Sequence, residues 1–140
     1  MKIETARAIA LGAHAGQTEK DGAPYINHLD RVAAAAPDDL KVAAYFHDIV
    51  EDTKVTLVML SRWGVGLHDL MVIKTLTRKP AQETYPQFIT DIIDSNLQDA
   101  ILLKLFDVQD HLRPGCELVL TEKQILKYIT AEQRLIEALA

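Results

Sequence analysis

Two clusters of charged residues interrupt the most apolar stretches of this chain. The first, His47-Asp48-Ile49-Val50-Glu51-Asp52, follows Leu40, Val42, Ala43, Ala44, Tyr45 and Phe46. The second holds Lys104, Asp107, Asp110 and His111 and follows Ala100, Ile101, Leu102 and Leu103. An ionised carboxylate in such surroundings is costly unless a cation or a metal offsets it. Positions three and four apart on a helix share a face, so His47 lies over Glu51, Asp48 over Asp52, and Lys104, Asp107 and His111 stand together. Neutral imidazole plus carboxylate oxygen suits a divalent transition metal, with manganese favoured over zinc as oxygen donors accumulate. A His-Asp dipeptide alone carries little information. The chain has a second, His68-Asp69, with no acidic pair one turn further on, and it reads as an ordinary helix start with Asp69 near the positive end of the helix dipole.

The elements that must position these residues are helices. With only six Gly and five Pro in 140 residues, the chain lacks the punctuation of a turn-rich β fold. Its length suits one domain over 1–140. The pattern predicts an all-α bundle of about eight helices: Ile3 to about Ala15; Asn27–Ala36, stopped by Pro37; Leu40 to about Val50, capped by Asp38 or Asp39; Thr56–Trp63; Val65–Leu76; Tyr85–Asp94 after a polar loop, Thr77–Glu83; Leu97 to about Asp110; and a C-terminal helix. That last helix opens on a capping box, Thr121-Glu-Lys-Gln124, and carries Ile125, Leu126, Ile129, Leu135, Ile136 and Leu139 as its apolar face.

Composition also bounds the partners. A net charge of −5 disfavours a polynucleotide ligand. The single Cys116 cannot form an internal disulfide, which points to the cytoplasm, and with no His base matched to it the thiol is not read as a nucleophile. No apolar run approaches the ~18 residues of a membrane span, and the N-terminus reads as part of the fold. Nothing in the sequence calls for a homo-oligomer.

Three blocks, AHAGQTEKDGAPYINH, AAYFHDIVEDTKVTLVMLSRWG and KLFDVQDHL, resemble the small HD-domain hydrolases of the alarmone (p)ppGpp. These are related to the hydrolase half of the RelA/SpoT enzymes and include stand-alone alarmone hydrolases. The resemblance covers about residues 8–112. It implies a metal, Mn2+ or another divalent ion, held by His28, His47, Asp48 and Asp107. It makes Glu51 and Asp52 the acidic pair that orients the attacking water, and the reaction removal of a 3′-pyrophosphate from a small nucleotide. Lys20 and Lys104 are candidates to neutralise phosphate, and Tyr25 borders the pocket. His14 reads as a structural hydrogen-bonding residue and Trp63 as a packing residue.

The departures fall on the purine-reading positions. Glu19 stands where the family has an Arg that stacks on the base, a task a carboxylate cannot perform. His111 stands where the family has an Asn that contacts the nucleoside, Leu29 replaces a Pro, and Phe106 replaces a small residue. Retained metal and acid positions with altered purine positions predict hydrolysis with a changed substrate choice. The competing readings are an HD-type hydrolase of a 5′-mononucleotide or adenosine polyphosphate, a nucleotide sensor without turnover, and a helical module without a ligand. The last requires His28, His47, Asp48 and Asp107 to diverge in space.

Overall fold

The computed structural model describes residues 1–82 and 84–140. Nine α-helical segments account for its regular structure: α1 (Ile3–Ala13), α2 (Ile26–Ala35), α3 (Lys41–Phe46), α4 (Ile49–Asp52), α5 (Leu57–Arg62), α6 (Leu67–Leu76), α7 (Tyr85–Asp94), α8 (Gln98–His111) and α9 (Glu122–Leu139), with 3-10 turns at Asp38–Leu40 and Cys116–Leu118. Among the described residues the only β pairing is an isolated bridge between Thr18 and Pro24. The all-α architecture is the one the sequence pattern implies. Part of the expected polar loop, Glu83, lies outside the described residues.

The centre is built by α3 and α8. Every α3 residue from Val42 to Phe46 is buried, and the helix is gripped by α1, α2 and α6, while α8 lies against α2, α6 and, most extensively, α9. Alanines at 6, 10, 43, 44 and 100 are fully buried. Such small side chains let helices approach closely, so that polar groups on different helices can converge.

The predicted helix Leu40–Val50 is not continuous. It starts as a 3-10 turn without side-chain capping by either Asp and breaks between α3 and α4 at His47-Asp48, where Asp48 takes φ −109°, ψ −4°. No Gly or Pro causes this. The His47 ring donates from Nδ1 to the carbonyl of Ala44 at 2.6 Å, the acceptor that the Asp48 amide would use in an unbroken helix. Asp48 thereby enters the sparsely populated bridge region in which many active-site residues sit.

The C-terminal helix also differs from expectation. The Thr121–Gln124 capping box forms as predicted, but Leu126 is 63% exposed and Ile129 and Ile136 face solvent. The face turned to the core carries Tyr128, Ala131 and Leu135. Trp63 is not a packing residue either: it caps the C-terminus of α5 and is 45% exposed.

Candidate metal centre

Four helical segments deliver one polar atom each to a common point. His28 comes from the first turn of α2, His47 from the end of α3, Asp48 from the start of α4 and Asp107 from the middle of α8. The donor atoms of all four lie within 4.8 Å of one another. His28 Nε2 is 3.0 Å from Asp107 Oδ1 and 3.9 Å from Asp48 Oδ2. His47 Nε2 is 3.0 Å from Asp48 Oδ2 and 3.4 Å from Asp107 Oδ1. Ligand bonds of ~2.1 Å put adjacent donors of an octahedron ~3 Å apart, so these separations fit one small divalent ion. The ligand-free helical module, which needed the four to diverge, does not describe this geometry.

The hydrogen-bonding inventory makes the same point. His28 Nε2, His47 Nε2 and Asp107 Oδ1 are buried and have no aligned hydrogen-bond partner among the described residues, although buried polar atoms are normally satisfied. Their other atoms are all engaged. His47 Nδ1 is held by Ala44, and His28 Nδ1 donates to Asp110 Oδ2 at 2.6 Å. Asp107 Oδ2 accepts from Lys104 Nζ at 2.8 Å, whereas for Asp48 it is the inward oxygen itself, Oδ2, that accepts from the Tyr25 hydroxyl. Each imidazole thus turns a lone pair inward, and its outer nitrogen is fixed by an acceptor, the arrangement that orients metal-binding histidines.

Charge within the cluster is strongly negative. Burial disfavours protonation of His28, but the Asp107 and Asp110 carboxylates outweigh it and raise the ring's pKa to about 9. His47 rises well above its ordinary value against the same burial, through Asp48 and Asp107. Asp48 and Asp107 are pushed up by burial and pulled down further by the imidazoles and, for Asp107, by Lys104. The site therefore calls for positive charge, which either protons on the rings or a dication at the same point can supply.

The other candidates surround this point. Glu51 and Asp52 follow Asp48 by one turn on α4. Burial of the carboxylate raises the pKa of each, and Asp48 nearby adds to the effect. Glu51 Oε1 accepts from the Arg78 amide at 2.6 Å. Lys104 is no surface cation: burial opposes its charge, but Asp107 outweighs burial and keeps it protonated. His14 is buried; its Nδ1 lies 2.7 Å from Gln17 Oε1, while its Nε2 has no hydrogen-bond partner among the described residues. Lys20, Tyr25, His28 and His111 line a cavity of about 430 Å³ whose far wall runs from Arg113 to Leu120. His111 stands sandwiched, its ring 5.2 Å from His28 on one side and 4.6 Å from Tyr128 on the other.

Residues outside the motif positions complete the surroundings. Arg31 pairs with Asp110 at 2.6 Å and with Glu19. Glu19 is only 8% exposed and also faces Arg113 at 3.4 Å. The charge reversal at position 19 is therefore compensated, because two guanidinium groups meet the carboxylate. The helical offset His28/Arg31 is the sequence signal for this, since it places an arginine one turn from a ligand candidate. Gly22, at φ 89°, allows the tight loop in which the Glu19 amide donates to Ala23 at 2.8 Å.

Comparison with known proteins agrees with this geometry. No protein-family model matches the chain. It is 28% identical over 124 residues to the bifunctional (p)ppGpp synthase/hydrolase SpoT of Escherichia coli K12, an alignment spanning 80% of this chain and 18% of that protein. It is 33% identical over 121 residues to the guanosine-3′,5′-bis(diphosphate) 3′-pyrophosphohydrolase of Vibrio cholerae, spanning 75% of this chain and 17% of that one. The chain thus spans less than a fifth of the length of these curated relatives. A solved structure described as a metazoan ortholog of SpoT that hydrolyzes ppGpp superposes with a TM-score of 0.81 at 22% identity, covering 98% of this chain and 84% of that one. With this shared fold and this sequence likeness, the chain is similar to the (p)ppGpp pyrophosphohydrolases over the part of their length that it spans.

Proposed function

We propose that residues 1–140 form a single HD-type phosphohydrolase domain that removes the 3′-pyrophosphate from a (p)ppGpp-like nucleotide. His28, His47, Asp48 and Asp107 would hold the required divalent ion, best Mn2+. The observation that carries this reading is the set of buried, unpartnered atoms facing one another, His28 Nε2, His47 Nε2 and Asp107 Oδ1, beside the acidic pair Glu51 and Asp52. The cytoplasm expected from the lone Cys116 is the compartment in which such a nucleotide would be met.

A divalent ion bound there supplies Lewis acidity to water and to a phosphoryl oxygen. The protein's own groups do the rest. Glu51, whose pKa is raised toward the working range, takes a proton from the attacking water, and Asp52 helps orient that water. Water oxygen bonds to the phosphorus attached to the 3′ oxygen, the P–O3′ bond breaks, and the departing 3′ oxygen takes a proton. Tyr25 fixes the Asp48 carboxylate by its hydrogen bond. Lys104 and Lys20 offset phosphate charge, and the 430 Å³ cavity beside His28 and His111 accepts the nucleoside.

Glu19 engaged with Arg31 and His111 stacked on Tyr128 favour a second reading in which the same hydrolysis acts on another nucleotide. Pyrophosphate and phosphate release by purified protein with Mn2+, across guanosine and adenosine tetraphosphates and ordinary mononucleotides, decides between them. The expected result is pyrophosphate from a 3′-pyrophosphorylated nucleotide and none from His47→Ala. Release unchanged by that substitution would sink the mechanism, and no release from any nucleotide would leave a sensor.

A further inference from the structure

On α9, outside the three motif blocks, Lys127 occupies an unusual position. Its ammonium lies 4.7 Å from the ring centroids of both Tyr85 and Tyr128. Lys104 lies over the same Tyr85 ring at 5.5 Å, so two ammonium groups from different helices share one aromatic ring. Among the described residues no carboxylate is within ion-pair reach of Lys127. Burial lowers its pKa, and the charges of Lys20, Lys104 and Arg78 lower it further. The Tyr85 hydroxyl at this place is buried and has no hydrogen-bond partner among the described residues.

Two ammonium groups, Lys104 of α8 and Lys127 of α9, thus meet over the Tyr85 ring. Lys104 links that spot to the metal centre through Asp107, and Tyr128 links it through its stack on His111. Cation–π attraction compensates a desolvated ammonium only in part. A half-buried lysine facing another ammonium and no carboxylate is unfavourable until an anion arrives, whereas Lys104 already has Asp107.

We infer that Lys127 is a phosphate-binding residue, which with Lys104 forms an oxyanion wall that grips the pyrophosphate end of the substrate. The identity of the anion rests on the phosphohydrolase reading, whereas the site itself rests on the geometry. The Tyr85 hydroxyl is placed to donate to the same oxyanion. Because the wall includes α9, it makes the C-terminal helix part of substrate recognition.

The test is calorimetric titration of inorganic pyrophosphate into protein stripped of divalent metal, at low ionic strength, for wild type, Lys127→Gln and Lys127→Arg. Removing one charge-assisted hydrogen bond to the anion weakens pyrophosphate binding by about ten- to a hundredfold in the Gln variant, while Arg restores it to within about threefold. The ligand-free Gln variant unfolds at the same or a higher temperature than wild type, because a repelling charge has gone. Equal affinity in wild type and Gln variant, no binding by wild type, or a less stable Gln variant with unchanged affinity overturns the inference. Nucleotide hydrolysis assayed in parallel reports separately. Lys127-dependent pyrophosphate binding without turnover of any nucleotide removes the proposed function and leaves the wall, whereas turnover with Lys127-independent binding does the reverse.

Discussion

The Nδ1 of His28 donates to Asp110 across 2.6 Å, while its Nε2 faces Asp107 at 3.0 Å. Asp110 therefore selects the tautomer and the orientation in which His28 presents a lone pair to the centre, and Arg31 anchors Asp110 in turn through two nitrogens. Replacing Asp110 by Asn keeps the shape but allows the amide to donate, which permits the wrong tautomer. Asp110→Asn is expected to weaken Mn2+ binding by about 10–100-fold, read by titration of the metal against a fluorescent chelator. Unchanged affinity would show that His28 needs no such orientation.

Metal loading is expected to be visible in stability. Mn2+ at about 100 times its Kd adds about 2.7 kcal/mol to the folded state, several degrees in melting temperature for a domain of this size. EDTA removes the increment. His47→Ala, which deletes one inward-facing nitrogen, loses the metal-dependent shift in differential scanning fluorimetry. A His47→Ala protein that still responds to Mn2+ in full would place the ion elsewhere.

Position 19 tests the compensated charge network. Arg31 is more than a third exposed, so solvent screens much of its pairing with Glu19. Restoring the family's arginine as Glu19→Arg sets a third guanidinium beside Arg31 and Arg113, at a cost of about 1–2 kcal/mol after that screening. Chemical denaturation should show the loss, and Glu19→Gln, which removes the carboxylate without adding a third guanidinium, should cost less. A single variant as stable as wild type would mean that the pairing contributes nothing.

Much of this arrangement is legible in the sequence, and the exceptions have physical reasons. Helix α7 begins and ends where the pattern places it, because Thr84 caps it and Pro86 lies in its first turn. His47, Asp48 and Asp107 can be read because charged groups after apolar runs demand an explanation, whereas His28 enters only through the resemblance of its block to the HD-domain hydrolases. The break at His47-Asp48 cannot be read, since a side chain hydrogen-bonding to Ala44 carries no signature in hydrophobic period. Trp63 and Leu126 depart from expectation for a related reason: apolar character does not tell a core position from an exposed one. Lys127 gives no signal of its own because a lysine on an amphipathic helix ordinarily belongs to its solvated face.

Away from the metal centre, Asp30 of α2 ties three helices together. It accepts from Arg7 of α1 at 2.9 and 3.0 Å and from the Tyr45 hydroxyl of α3 at 2.7 Å. The Arg7 hydrogen bond, opposed by partial burial and aided by Tyr45, holds its pKa below the usual 3.8. A carboxylate depressed in the folded state stabilises above its unfolded pKa, and that stability disappears as pH falls through the folded value. Wild type should therefore melt higher than Asp30→Asn near neutrality, and the gap should close below about pH 4. A gap that persists in full at about pH 2 would mean that Asn loses something other than charge.

Glu51 should separate chemistry from metal binding. Its carboxylate is spared from the four-atom cluster and held by the Arg78 amide, and its pKa is raised by burial and by Asp48 and Asp52. As the proton acceptor it works only when ionised, so the acidic limb of the rate profile should lie above the ordinary glutamate value of 4.5. Glu51→Gln keeps the shape and removes the base. The expected loss in kcat is about 10²–10⁴-fold, with the Mn2+-induced rise in melting temperature and the affinity for pyrophosphate both retained. If kcat stays within a factor of a few of wild type and the acidic limb does not move, Glu51 is not the base, and Asp52, raised for the same reasons, becomes the residue to replace. A fall in kcat accompanied by loss of the Mn2+ response would instead make Glu51 part of the metal's own surroundings, so the paired readouts distinguish the two roles.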